Sequence, residues 1–391
     1  MALVSLLSIA PFLTVAYTRE ITFPPVSGYA SQQVIPQELF ESDVTQAKFA
    51  GLTTYAHLPY VHCLAPEGDD VEPFDIAILG APFDTAVTAR PGARFGPSGI
   101  RAGSRRIGPL WSVYTGENVF FDWAKIVDCG DAPLTFLVML PVYNTKHKID
   151  SEIKQDNTVA LKQLDKSHEI VSSRKTNSSE HGRTPKIITL GGDHTTTLPA
   201  LRSAHHHWGQ VSVIHFDSHL DTWDPKVLGG GISHYAGVNH GTFLHIAHEE
   251  GLIRNTSIHA GIRGAILRPK GDVRNDIRCG FEMIKARDID RIGVLGIIDK
   301  LKARVGGSKV YISVDIDVLD PAFAPATGTA EVGGWSTREL LSILDGLEGL
   351  DVIGADVVEV APVYDNAGET TILAAAEVVQ SLIGLMVKAP A

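Results

Sequence analysis

The chain has 391 residues, 44% apolar and 20% charged, with a formal net charge of −11. This is an ordinary soluble globular composition, long enough for one large α/β domain or two smaller ones. No basic block or aromatic-basic interleaving is present, which argues against a nucleic-acid partner, while the acidic balance suits a small cationic substrate.

Residues 2–16 form an uncharged apolar stretch, too short to span a bilayer comfortably, so no membrane span is expected. With Thr14-Val15-Ala16 as a small-residue cleavage site, residues 1–16 read as a secretory signal, although no Lys or Arg precedes them and Pro11 interrupts them. The expected location is therefore the secretory pathway or outside the cell. The alternative is a cytoplasmic protein with a buried or disordered N-terminal segment. Residues 17–70 read as an extension with little regular structure and one short helix around Phe40–Ala50. Cys63, Cys129 and Cys279 lack metal-ligand spacing and read as packed or free thiols, with one disulfide open to a secreted chain. Two glycosylation sequons begin at Asn177 and Asn255.

The first clear strand is Asp75–Leu79, followed by a Gly- and Pro-punctuated loop at 90–101. Its Arg90, Arg94 and Arg101 are expected to pair with loop carboxylates and carbonyls. A short strand follows at Ala124–Asp128. The polar stretch 141–185 is read as a helix at Ser151–Leu164 and a surface loop at 172–184. A strand at 186–190 leads through Gly191-Gly192 to Asp193 and His194, with a helix at Thr195–His207 behind it. His205, His206 and His207 fall at consecutive helical positions about 100° apart, so they read as surface residues, not as one chelating group.

Val211–Asp221 reads V-S-V-I-H-F-D-S-H-L-D, a β-branched run ending in Asp217, His219 and Asp221. Gly229–Gly231 then marks a flexible loop, and Phe243–Glu250 has helical periodicity. Ser257–Ala260 is a strand, and the region of Arg291–Leu295 leads into a helix. Lys309–Asp317 is another strand, ending in Asp315 and Asp317, followed by a long loop. Thr337–Leu347 is a helix opened by Ser336 or Thr337. Asp351–Val360 is the last strand, with Glu359 near its end, and Thr370–Val387 is a closing apolar helix. This alternation predicts a three-layer α/β/α fold around a mostly parallel sheet. Residues 71–391 read as one catalytic domain without internal repeat or second-domain linker.

Three strands thus end in acids or imidazoles, and in an open parallel sheet ligands bind at the carboxyl ends of strands. Side chains two apart on an extended chain share a face, so the residues can converge on one site. Three unrelated polar turns are the alternative. The candidate ligands are His194, Asp217, His219, Asp221, Asp315 and Asp317. Four carboxylates overload one divalent ion. They suit two ions roughly 3.5–4 Å apart, which lower the pKa of bridging water and favour hydrolysis. An oxygen-rich set with two imidazoles and no sulfur favours Mn²⁺, with Zn²⁺, Co²⁺ and Fe²⁺ not excluded.

These motifs resemble the ureohydrolase (arginase/agmatinase) family. The resemblance rests on G-G-D-H at 191–194, D-S-H-L-D at 217–221 and S-V-D-I-D-V-L-D-P-A-F-A-P-A-T-G-T at 313–329. It also takes in G-A-P-F-D at 80–84, R-P-G-A-R-F-G-P at 90–97 and E-V-A-P at 359–362, running from about residue 70 to the end. It implies an arginase-like fold, two Mn²⁺ per chain, release of urea from a guanidino group, and trimers or hexamers. By motif, Asp217 and Asp315 would bridge the ions, His194 and Asp221 would complete one site, and His219 and Asp317 the other. Glu359 would hold the guanidinium with Thr329 nearby, and His240 would shuttle a proton. Asp221 would pass a proton to the leaving nitrogen, which cannot depart as an amide anion.

Asp221 is followed by Thr222 and Trp223, where arginase-like enzymes place an Asn, and this resembles the agmatinase pattern. Agmatine is the expected substrate, with 4-guanidinobutyrate and then arginine as alternatives. Segment 141–185 and Gly229–Gly231 depart from the family pattern. A dinuclear phosphoesterase would be expected to carry more basic groups near the site, and a silent metal-binding paralogue would have lost ligands.

Overall fold

Short β-branched runs bury both faces only when other strands flank them and helices cover them. The computed structural model describes residues 51–66, 70–135, 157–178, 184–228 and 237–388. Among these, the strands are Ile76–Gly80 (β1), Ile126–Asp131 (β2), Lys186–Leu190 (β3), Ser212–Phe216 (β4), Ser257–Ile262 (β5), Phe281–Lys285 (β6), Lys309–Asp315 (β7) and Asp351–Val358 (β8). They form one sheet in the order β2-β1-β3-β8-β7-β4-β5-β6, with every pair parallel. The helices are Gly96–Gly103 (α1), Thr158–Ser172 (α2), Thr197–Trp208 (α3), Phe243–Glu249 (α4), Gly271–Arg278 (α5), Ile289–Val305 (α6), Thr337–Gly346 (α7) and Thr370–Val387 (α8).

Strand side chains alternate between two cores. Ile214, Phe216, Ile312 and Val314 pack with α6, α7 and α8, whereas Val213 and Tyr311 pack with α3 and α4. This is the three-layer α/β/α arrangement that the alternating pattern predicts. Helix α8 is apolar almost all round because most of it is buried between the sheet, α1 and α7. Ser336 caps α7 in a reciprocal capping box with Glu339, as its sequence position suggests.

Several expectations need correction. Helix α2 runs to Ser172, so the polar loop begins later than 172; residues 151–156 and 179–183 lie outside the described ones. The presumed loop at 90–101 contains α1, despite Gly96, Gly99 and Gly103. Those glycines permit contact: a Cβ on Gly103 would sit 2.5 Å from the Ile372 carbonyl oxygen of α8, so packing overrides low helix propensity. Strand β6 was not anticipated, because Phe281-Glu282-Met283-Ile284-Lys285 is half polar. It completes the free edge of β5. Helix α5 was missed for a similar reason, being strongly polar. The loop arginines behave as expected. Arg101 forks onto Asp128 at 2.8 and 2.9 Å, Arg94 pairs with Asp84, and Arg90 lies over the Tyr364 ring. His206 is exposed, while His207 bonds Ser172 Oγ at 2.9 Å.

Part of the 17–70 extension packs firmly. Tyr55 is fully buried, its hydroxyl donating to Ala376 O at 2.7 Å and its N–H to Asp128 at 2.8 Å. The expected signal at 1–16 and helix at 40–50 lie outside the described residues. For Cys63 and Cys129 the default reading as packed or free thiols is corrected in favour of the one disulfide left open, and for Cys279 it holds. Cys63 and Cys129 form a disulfide, brought together where Tyr60 bridges to Asp128 beside β2, while Cys279 is a buried free thiol. Their separation of 66 residues hid the pairing from local pattern.

Closing a loop of that length stabilises a fold by about 2–5 kcal/mol. Cys63→Ser should therefore lower the urea midpoint measurably. Equal midpoints for parent and variant under non-reducing conditions would mean the bridge is absent in the native protein.

Candidate metal centre

The four central strands β3, β8, β7 and β4 are neighbours, and their carboxyl ends carry the candidate residues. His194 opens a turn after β3, Glu359 follows β8, Asp315 ends β7, and Asp217 follows β4. Sequence order jumps from β3 across β8 and β7 to β4, which creates the crevice at which such sheets bind ligands. Gly192 makes the junction feasible: a Cβ there would lie 1.8 Å from Phe83 O.

All six predicted ligands converge. His194 Nδ1 lies 3.1 Å from Asp217 Oδ2, 3.1 Å from Asp221 Oδ2 and 3.3 Å from Asp315 Oδ2. His219 Nδ1 lies 3.1 Å from Asp317 Oδ2 and 3.4 Å from Asp217 Oδ1. Two clusters of metal-ligating atoms result, His194-His215-Asp217-Asp221 and Asp217-His219-Asp317, joined through Asp217. His215 was missed by sequence reasoning. It stands two residues before Asp217 on the same face of β4, and that spacing could have revealed it. Its Nε2 lies 3.1 Å from Asp217 Oδ2.

The remaining candidates surround this cage. Glu359 is buried. Its Oε1 accepts the His194 backbone N–H at 2.9 Å, and its Oε2 has no hydrogen-bond partner. His240 Nδ1 lies 3.4 Å from Glu359 Oε1, and its Nε2 bonds Thr88 Oγ1 at 2.8 Å. Thr329 points its hydroxyl to Asp317 Oδ2 at 3.4 Å, so its observed partner is a candidate ligand. Asp221 and Glu359 have left-handed backbones, φ 54° and 60°. Such conformations cost of order 1–3 kcal/mol and cluster at functional sites.

The electrostatics ask for cations. Burial pushes the Asp315 carboxyl well above its usual range, and the charges of Asp317 and Asp217 add to this. Burial and the Asp217 charge push Asp221 up to about 6. Burial alone would lower His194 and His219, but the facing carboxylates raise both. His215 is lowered to about 3, chiefly by burial, and stays neutral. His194 Nδ1, His215 Nε2 and Asp217 Oδ2 are buried, mutually close and without hydrogen-bond partners. Buried polar atoms normally find partners. Three such atoms in one cage of carboxylates and imidazoles are the donor set of a divalent cation, so the residues fit a metal centre.

The Arginase family model matches residues 74–384. The chain is 51% identical over 357 residues to a protein named "Putative agmatinase 1" from Schizosaccharomyces pombe, covering 88% of this chain and 84% of the relative. It is 34% identical to the guanidinobutyrase of Pseudomonas aeruginosa, covering 84% and 90%. Among solved structures, the proclavaminate amidino hydrolase of Streptomyces clavuligerus superposes with a TM-score of 0.70 at 30% identity, covering 87% of this chain and 98% of that one.

Metal uptake should depend on acid. Protonated ligands cannot coordinate, so affinity for divalent ions should fall as pH drops from the alkaline side, where the raised His194 and His219 take up protons, and fall again through about 6, where Asp221 gains its own. Equilibrium dialysis with Mn²⁺ across this range checks it; uptake indifferent to pH would contradict the assignment of these ligands.

Proposed function

The chain belongs to the arginase family, and on that premise we propose that it is a dinuclear manganese ureohydrolase cleaving agmatine to putrescine and urea. The observation that carries this reading is Glu359. It places a buried carboxylate oxygen without a partner beside the cage, where a guanidinium could supply the missing N–H donors. The 51% identity to a relative named as an agmatinase supports agmatine as the substrate. A guanidino acid is the second reading, supported by the likeness to guanidinobutyrase.

His194, Asp217, Asp221 and Asp315 would hold one ion, and Asp217, His219, Asp315 and Asp317 the other. Bound divalent ions supply Lewis acidity and make water nucleophilic near neutral pH. The chain's own groups do the rest. Glu359 orients the planar guanidinium by charge-assisted hydrogen bonds, and its Oε1 is already fixed by the His194 N–H. Attack on the central carbon is followed by cleavage of the bond to the substituted nitrogen, giving urea and an amine. That nitrogen must be protonated as it leaves. Burial would lower the His240 pKa, but contact with Glu359, and the charges of Asp221 and Asp193, push it up to about 9. His240 therefore carries a proton at neutral pH, and Thr88 fixes its ring.

We further propose that the chain enters the secretory pathway and assembles as a homo-oligomer. The Cys63–Cys129 disulfide and the exposed sequon residue Asn255 support the first. The apolar Leu110, Trp111, Val113 and Tyr114, all more than 60% exposed, support the second.

Purified protein reconstituted with Mn²⁺ should release urea from agmatine faster than from 4-guanidinobutyrate or arginine. A guanidino acid consumed faster would move the assignment to the second reading, and no urea from any of the three would defeat it. Glu359→Gln should keep the fold and both ions but lose one charge-assisted contact, worth roughly 1.5–3 kcal/mol. That predicts a fall in kcat/KM of about 10- to 150-fold. Parental turnover by the metal-loaded variant would exclude the role given to Glu359.

A further inference from the structure

Glu359 Oε2 lies against a stretch of main chain that has no role in the steps above. The loop after β7 returns past this oxygen, and a Cβ built on Gly328 would sit 3.4 Å from Glu359 Oε2 and 3.1 Å from the Arg90 carbonyl oxygen. Gly328 does not have a left-handed φ, so backbone conformation does not itself demand glycine. What glycine supplies is room. Glu359 is 1% exposed, and its Oε2 has no hydrogen-bond partner. A guanidinium N–H has to arrive there with its nitrogen at about 2.9 Å. A side chain at 328 would cover one side of the oxygen.

Such room is useful only if the loop keeps its place, because glycine leaves the chain conformationally free. Before Gly328, the Ala361 N–H bonds Ala326 O at 2.9 Å. At Gly328 itself the contacts are long. Arg90 Nε donates to Gly328 O at 3.4 Å, and Thr329 Oγ1 donates to Asp317 Oδ2 at 3.4 Å. The loop therefore depends on what holds its far side, at Glu331.

That anchor is Arg263, the residue after β5. Its Nε and Nη2 both donate to Glu331 O, at 3.2 and 2.8 Å. Nη2 also reaches Asp317 O at 2.6 Å and Leu319 O at 3.1 Å, and Nη1 reaches Val318 O at 3.2 Å and Gly261 O at 3.3 Å. Every one of these acceptors is a main-chain carbonyl. A guanidinium offers five N–H donors in a rigid fork, and here the fork ties the end of β5, the turn after β7 and the returning loop into one unit. The packing is tight: a Cβ on Gly334 would lie 2.6 Å from Nη2. A lysine would keep the charge, but its single donor atom cannot span these carbonyls.

We propose that Gly328 is a substrate-site residue, which by lacking a side chain reserves the space beside Glu359 Oε2 for the guanidinium, and that Arg263 is the positioning residue that fixes the gap between this main chain and the carboxylate. The proposal rests on the reading of Glu359 as the guanidinium partner. It adds that one wall of the site is main chain, and that the clearance of this wall, not a further charge, decides whether the group fits.

The test uses the full chain loaded with Mn²⁺, with ion content and thermal midpoint measured for each variant. Gly328→Ala should keep parental ion content and a near-parental midpoint. It should raise KM for agmatine about tenfold or more, and weaken agmatine binding to the metal-free protein, read by calorimetry without turnover, to a similar degree. Parental KM and parental binding in this variant would overturn the role of Gly328. Arg263→Lys should also raise KM more than it lowers kcat. Combined with Gly328→Ala it should add little further loss, because both changes act on one gap. A loss confined to ion content or midpoint, or one that multiplies in the double variant, would leave Arg263 a structural clamp and overturn its positioning role. A parent that releases no urea from any guanidino compound overturns the ureohydrolase reading and this proposal with it. Urea release that falls in Glu359→Gln but stays parental in Gly328→Ala overturns the proposal alone. Should Gly328→Ala fail to fold, the KM of Arg263→Lys decides.

Discussion

Crowding of negative charge is the constraint on which the rest of this structure depends. Asp217, Asp221, Asp315, Asp317, Asp193 and Glu359 are all buried at the carboxyl end of one sheet. Two like charges 4 Å apart repel by about 4 kcal/mol at an effective dielectric of 20, and burial adds the loss of hydration. A chain that gathers such groups must supply compensating positive charge or protons. The raised carboxyl groups of Asp315 and Asp221 and the raised imidazoles of His194 and His219 express that demand. Divalent cations meet it without protonating the ligands.

Holding repelling groups together requires a scaffold that does not yield. The central strands β3, β8, β7 and β4 are buried on both faces, and every ligand stands at or just beyond a strand end. Backbone donors fix the carboxylates: the His219 N–H bonds Asp217, the Asp317 N–H bonds Asp315, and the Ser218 N–H bonds Asp317. The left-handed backbones at Asp221 and Glu359 persist because the surrounding contacts over-determine them. The close approach of Gly192 to Phe83 seats the turn that carries Asp193 and His194.

The imidazoles tie this cage to the interior. His194 is anchored through Ser313 to Asp356, which also accepts from Tyr311. His215 is hydrogen-bonded to His259 and His259 to Asp276, so a second chain enters from the neighbouring strand and a helix on the sheet's flank. Fully satisfied buried networks of this kind rigidify a site, while a half-satisfied one is costly. Within the cage, His194 Nδ1, His215 Nε2 and Asp217 Oδ2 lack partners, as does Glu359 Oε2 beside it; a cation and a guanidinium would complete them.

By itself, the sequence determined seven of the eight strands, the acids and imidazoles at their ends, and the pattern of alternating layers. Those signals are local: a β-branched run, a glycine turn, and residues two apart on one face. The six candidate ligands each sit within a few residues of such a run, while the role proposed for Glu359 came from the family resemblance. Only the tertiary structure decided what depends on strand order. It made β3, β8, β7 and β4 neighbours, although β3 and β8 lie far apart in the chain. It joined Cys63 to Cys129, formed a helix from the glycine-rich α1, and paired the polar β6 at an edge. It also brought His259 and Asp276 behind His215, which looks like one more residue in an apolar strand. The physical reason is common to all of these. Packing and pairing between segments remote in sequence supply free energy that no local pattern records, so acids and imidazoles at strand ends can be read from the chain while their remote hydrogen-bond partners cannot.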